Sequence, residues 1–138
     1  MNTINISSFF DTKGELLKPL ITDEGVDNVK EIIEYLREQV KDRDRRNEKL
    51  NINQLRKFYD TFLKVYNTKL DEKEKKIQLL MLKANAEYSA KRLNTNRFKE
   101  FLKNRINIVV SKSGEEFYNN LKALKLHFEA LVAYYPKN

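Results

Sequence analysis

Cations are the side chains of this sequence with the plainest chemistry, and they come in two blocks. Lys41, Arg43, Arg45, Arg46 and Lys49 lead into Arg56, Lys57 and Lys64, and Lys83, Lys91, Arg92, Arg97, Lys99, Lys103, Arg105 and Lys112 follow. Residues 41–66 carry 8 basic and 4 acidic side chains and residues 83–112 carry 8 and 2, whereas residues 1–40 carry 4 and 8. Overall, 27 Lys and Arg against 20 Asp and Glu give a formal net charge of +7, which favours a polyanionic partner. Lysine and arginine neutralise phosphates, and such contacts position a nucleic acid without reading its bases. Charge runs are ordinarily solvated helix faces, and that reading accounts for about half of these residues. The second block resists it, because its local excess repels itself unless an anion is near.

Other chemistries find little support. His127 is the only histidine, so a Ser-His-Asp triad or a multi-histidine metal site would have to be built around it alone. At the edge of an apolar stripe it reads as a packed or rim residue. The Arg-x(4–6)-His spacing of helical RNases is missing, since Asn120, Leu121 and Lys122 occupy those positions. Gly14, Gly25 and Gly114 are isolated and make no phosphate loop. Asp42 with Asp44, Asp71 with Glu72 and Glu115 with Glu116 are pairs of carboxylates, but helix ends and solvated faces carry acid at such places. The absence of Cys removes thiol chemistry and fits a reducing compartment, so a cytoplasmic location is expected. No leader pattern is evident and no stretch approaches the ~18–20 apolar residues of a membrane span. The expectation is therefore no enzyme, no cofactor, no metal and no membrane partner.

The elements that must position the cations are helices. A chain of 138 residues suits one domain, and 34% charged residues with only 3 Gly and 2 Pro favour long helices and short loops. The fold class expected is all-α, a compact bundle of about five helices. Residues 1–22 read as an irregular N-terminal arm and residues 23–138 as a single helical-bundle domain. Val26, Val29, Ile32, Ile33, Leu36 and Val40 space a first helix capped by Thr22 or Asp23. Asn51 and Gln54 have capping-box spacing before a second, which runs to about Thr68. Its residues Leu55, Phe58, Tyr59, Phe62, Val65 and Tyr66 fall on one arc, with Arg56, Lys57, Asp60 and Lys64 outside it. A third helix starts at Asp71 or Glu72 and ends near Leu93, with Ile77, Leu80, Met81, Ala84 and Tyr88 as its apolar stripe. A fourth follows Thr95 and turns Phe98, Phe101, Leu102, Ile106 and Val109 inward; the β-branched run 108–110 is read as helix, although it also suits a short strand. Ser113 and Glu116 form a Ser-x-x-Glu box ahead of a last helix with Phe117, Leu121, Leu124, Phe128, Leu131 and Tyr135 inside.

Three segments taken in order resemble the small subunit of the type III-A CRISPR–Cas effector, the Csm complex. They are Asn53-Gln54-Leu55-Arg56-Lys57-Phe58-Tyr59, then Leu82-Lys83-Ala84 with Tyr88, Arg92 and Phe98, and last His127-Phe128-Glu129-Ala130-Leu131-Val132-Ala133-Tyr134-Tyr135. The resemblance covers about residue 50 to the C-terminus, not the first 22 residues. It implies a small helical bundle without catalysis of its own that serves antiviral defence. Copies of it would stack along the complex, contact guide RNA and target RNA, and meet other Csm subunits, which do the cleaving. By position, Gln54, Arg56 and Lys57 match the polar face of the first motif and Lys83 and Arg92 the second; Arg46, Lys49 and Arg97 join them from charge alone. Head-to-tail stacking needs heterologous contacts, so self-association through apolar patches such as Phe9-Phe10 is expected. A helical DNA-binding regulator is the alternative reading.

Overall fold

The computed structural model of the chain describes residues 5–37, 50–93 and 95–137. Val40, the acidic pair Asp42 and Asp44, and the cations Arg46 and Lys49 lie outside them. The described residues form five helices and no strand: α1 (Val29–Arg37), α2 (Ile52–Asn67), α3 (Glu72–Leu93), α4 (Asn96–Val110) and α5 (Gly114–Tyr134). The all-α bundle expected from composition is the fold observed. α3 pairs with α4 and α2, α5 with α2, α4 and α1, so each helix has an apolar face to bury. One continuous core joins Ile32, Ile33 and Leu36 of α1, Leu55 and Phe62 of α2, Phe101 and Ile106 of α4, and Phe117, Leu124 and Phe128 of α5.

Local chemistry explains most helix ends. Asn51 accepts the Gln54 amide at 2.8 Å and the Gln54 side chain accepts the Asn51 amide at 2.9 Å, which is the capping box that the spacing implies. Asp71 Oδ1 caps α3 through the Glu74 amide at 2.9 Å. The β-branched run stays helical to Val110, because Ile106 and Val109 are fully buried on α4.

Two expected caps are not the ones used. α1 begins at Val29 rather than Val26, because Asn28 Oδ1 accepts the amides of Lys30 (2.9 Å) and Glu31 (3.2 Å), while Glu31 accepts the Asn28 amide (3.2 Å). Gly25 and Asp27 ahead of it have φ of 95° and 58°, which no right-handed helix accommodates, and Val26 is left 82% exposed. At α5, Ser113 makes no side-chain cap bond; the Gly114 amide instead donates to Glu72 Oε1 at 2.8 Å. That bond, with Lys76 at 3.1 Å, holds the Glu72 carboxyl below its ordinary pKa and ties the start of α5 to the start of α3.

α3 also departs from its expected register. Leu79, Leu82, Ala86 and Ala90 face inward, and Ile77, Leu80, Met81, Ala84 and Tyr88 lie exposed on the opposite side. Both sets keep a 3.6-residue period, so periodicity alone did not choose between them. Packing does: α3 pairs chiefly with α4 and turns Leu79, Leu82, Ala86 and Ala90 to the buried side.

The segment before α1 is irregular but packed. Phe10 and Leu16 form an isolated antiparallel bridge, and Lys18–Leu20 make one 3-10 turn. Phe9 is fully buried against the bundle, so it belongs to the core and offers no apolar patch for self-association.

Candidate nucleic-acid interface

The fold sorts the cations by what it does with them. Lys75 is buried at the α2–α3 corner, where its ammonium donates to the Val65 carbonyl at 3.0 Å and the Tyr66 carbonyl at 2.7 Å. It thereby satisfies acceptors that the end of α2 leaves open, at the cost of desolvation that lowers its pKa. Arg97 is half-buried; its Nη1 donates to the Tyr35 carbonyl at 3.0 Å and its guanidinium lies 4.3 Å above the Tyr35 ring centre, clamping α4 to α1. Lys83 donates to Asn107 Oδ1 at 2.9 Å, clasping α3 to α4. Lys99 pairs with Glu87 at 3.3 Å and Glu100 at 3.4 Å; desolvation works against it, but the two carboxylates hold its pKa above the ordinary value.

Arg105, the remaining interior member of the second block, is fully buried. Its Nε donates to His127 Nε2 at 3.3 Å, its Nη1 donates to Asn104 Oδ1 at 2.8 Å, and its guanidinium lies 4.2 Å over the Phe101 ring. The other nitrogen of His127, Nδ1, is 2.6 Å from the Leu20 carbonyl. A carbonyl only accepts, so Nδ1 carries the proton and Nε2 offers its lone pair to Arg105. Burial first, and the neighbouring guanidinium second, push the His127 pKa down to about 3, and burial pushes that of Arg105 down to about 9. Asn104 completes the seam by accepting the Ile6 amide and donating to the Ile6 carbonyl, both at 3.0 Å. The sole histidine is thus a packed residue that anchors the N-terminal segment, and among the described residues its ring nitrogens meet only Arg105 and the Leu20 carbonyl.

What remains outward is smaller and better placed than the sequence blocks suggest. Arg56 and Lys57 are exposed on α2, with Asp60 and Lys64 on the same solvent side. Beneath them Leu55 and Phe62 are core, Phe58 packs on Phe98 at 4.9 Å, and Tyr59 on Phe128 at 5.3 Å. The aromatics of this motif therefore support the helix and offer no stacking platform. Gln54, expected beside them, is half-buried with its side-chain oxygen committed to the cap of α2. Arg92 is exposed near the end of α3, its guanidinium 5.4 Å from the Tyr88 ring centre. Of the eight residues expected to meet RNA, then, Arg56, Lys57 and Arg92 stand outward, Lys83 and Arg97 are engaged within the fold, Gln54 is a capping residue, and Arg46 and Lys49 lie outside the described residues. Arg105 sits on the inner arc of α4 with Phe98, Phe101, Leu102 and Val109, which helical spacing alone could have shown, whereas only the packing marks Arg97.

A cleft of about 500 Å³ lies between the Phe10–Leu16 hairpin and the start of α5, lined by Leu16, Lys112, Asn119, Asn120 and Lys122. Glu116 shares that lining with Lys112 and Lys122. Among the described residues no helix is long and apolar enough to cross a membrane.

The described residues thus make an all-α bundle of the kind a small helical subunit has, with cations exposed on α2 and at the end of α3. Residues 27–137 match the family described as Csm2 Type III-A, and the chain belongs to that family, the small subunits of the type III-A Csm complex. No curated protein and no solved structure matches the chain. Membership makes it a component of the Csm complex with other Csm subunits as partners.

Proposed function

We propose that this subunit binds the phosphate backbone of guide and target RNA through the outer face of α2 and the C-terminal end of α3, without catalysis of its own, while copies stack along the Csm complex. The observation that carries the reading is the exposure of Arg56 and Lys57 on a helix whose other side is wholly committed to the core. Such cations sit on rigid backbone, so meeting phosphate orders their side chains but not the helix that carries them. The α2–α3 hairpin adds to this. Lys75, seated on the Val65 and Tyr66 carbonyls, joins the start of α3 to the end of α2, and Arg92 stands near the other end of α3. A phosphate track along this pair meets Lys57, Arg56 and Arg92 in succession, with Arg46 and Lys49 preceding α2 in sequence. Lys83 contributes where its ammonium has donors left after Asn107. Arg97 acts on the fold.

The test uses the full chain with single-stranded RNAs of unrelated sequence over a salt series. Affinity is expected to fall steeply with salt and to depend little on sequence. In R56A/K57A the slope of log affinity against log salt shrinks by about 0.7–0.9 for each cation lost, with the helical content unchanged. A wild-type affinity that ignores salt, or that follows base sequence, sinks the reading.

A further inference from the structure

Tyr88 is a core position by sequence spacing and a surface position in the fold. Its side chain is 63% exposed, more than that of any other aromatic among the described residues. Other tyrosine rings are used by the fold: Tyr35 lies under Arg97, Tyr59 packs on Phe128, Tyr66 on Phe62, and Tyr118 edge-on to Phe117. Tyr88 instead has the guanidinium of Arg92, itself exposed, 5.4 Å from its ring centre.

Helix geometry explains why this ring stays open. Side chains on a helix lean toward its N-terminus, so Arg92 reaches back to Tyr88, and Tyr88 reaches back toward Ala84 and Asn85. The methyl of Ala84 is too short to cover a phenol ring, and Asn85 is itself exposed. A ring closed on both faces could not keep 63% of its surface, so the guanidinium leaves part of it bare. The nearest acid in sequence, Glu87, is engaged by Lys99 of α4 at 3.3 Å. An aromatic plane is thus offered to solvent beside a cation, near the end of α3.

A lone phosphate would use Arg92 and ignore Tyr88. A nucleotide uses both, because it carries an anion and an aromatic plane joined through one ribose, and unpaired bases stack on tyrosine rings and guanidinium planes alike. We infer that Tyr88 is a stacking platform for one unpaired base of the bound RNA, next to the phosphate that Arg92 holds. This deepens the proposed function and rests on it. Arg56, Lys57 and Arg92 supply the attraction to phosphate, which salt weakens, and Tyr88 adds a contact that releases no counterion. Every base has a π-face, so the platform leaves binding nearly indifferent to sequence.

The test titrates the full chain with an oligouridylate and with a ribose-phosphate strand of the same length that lacks bases. Wild type is expected to bind the base-bearing strand about tenfold tighter than the abasic one, with the same salt slope on both. Y88A removes that margin and leaves the slope and the helical content unchanged, Y88F keeps the margin, and R92A lowers the slope on both strands. With 5-iodouridine in the strand, irradiation is expected to join the RNA to Tyr88, as mapping of the crosslinked peptide would show. Equal wild-type affinity for the two strands, a Y88A chain that keeps the margin, or crosslinks confined to other residues overturns the inference and leaves backbone binding standing. If Y88A binds both strands as wild type does and is impaired only in entering the Csm complex, the ring faces a protein and the inference fails. Wild type that binds neither strand strikes the proposed function itself, and the inference with it.

Discussion

The seam between the N-terminal segment, α4 and α5 and the outer face of α2 each carry an arginine, in opposite surroundings. Arg105 has no exposed surface and spends its guanidinium on His127, Asn104 and the Phe101 ring. Arg56 stands exposed over a helix whose packing is done by Leu55, Phe58 and Phe62. Burying a guanidinium is costly unless its donors are met, and at the seam His127 and Asn104 serve as acceptors for this one charge. On α2 the fold asks nothing of the cation and leaves it in solvent. Charge in a sequence thus measures neither stability nor affinity until burial is known.

The comparison breaks most visibly at Arg105. Arg105→Ala leaves His127 Nε2 without its donor and Asn104 Oδ1 with the Ile6 amide alone, and opens a void beside Phe101, which is expected to lower unfolding free energy by about 3–5 kcal/mol. Urea denaturation with a fluorescence or circular dichroism readout measures it. A loss below about 1 kcal/mol would mean the seam is a passive accommodation of charge.

Acid attacks the same seam next. The folded chain refuses a proton at His127 until about pH 3, whereas the unfolded chain takes it up near the ordinary value of 6.5. Between those values the unfolded state binds more protons, so stability is full above about pH 6.5 and falls by roughly 1.4 kcal/mol per pH unit as pH drops toward 3. Arg105 does not contribute in that window, because it is protonated in both states below about pH 9. Denaturation midpoints between pH 7 and 4.5, above most carboxylate titration, give the slope. His127→Gln should flatten it; an equal slope in that variant would assign the acid sensitivity elsewhere.

Much of this architecture was readable in advance, for identifiable reasons. The inner arcs of α2, α4 and α5 follow from single apolar stripes opposed by charge, and the Asn51–Gln54 box follows from two residue types at a fixed spacing. α3 has two apolar faces, and which of them is buried depends on its partners in the bundle, a property no single helix carries. Asn28 outcompeted Thr22 and Asp23 for the cap of α1 because Gly25 and Asp27 turn the chain left-handed first. In the interface, the exposure of Arg56 and Lys57 was legible from their helix positions. The capture of Arg97 by Tyr35 and of Arg105 by His127 was not, since the partners lie 62 and 22 residues away and nothing local announces them.

Arg97 against Arg92 is the finest form of the comparison, because the two are five residues apart and flank the same α3–α4 corner. Arg97→Ala removes one hydrogen bond to the Tyr35 carbonyl and the stacking on its ring, so it should cost about 1–2 kcal/mol of stability and leave the salt slope of RNA binding unchanged. Arg92→Ala removes an exposed cation stacked on an exposed tyrosine. It should change stability by no more than about 0.5 kcal/mol while lowering the salt slope by about 0.7–0.9. Measured together, denaturation and salt-dependent binding place each arginine on two independent axes. Should Arg97→Ala flatten the salt slope with stability intact, cations clasped by the fold would also serve the RNA. The division drawn from burial would then have to give way to one drawn from the spare donors of each guanidinium.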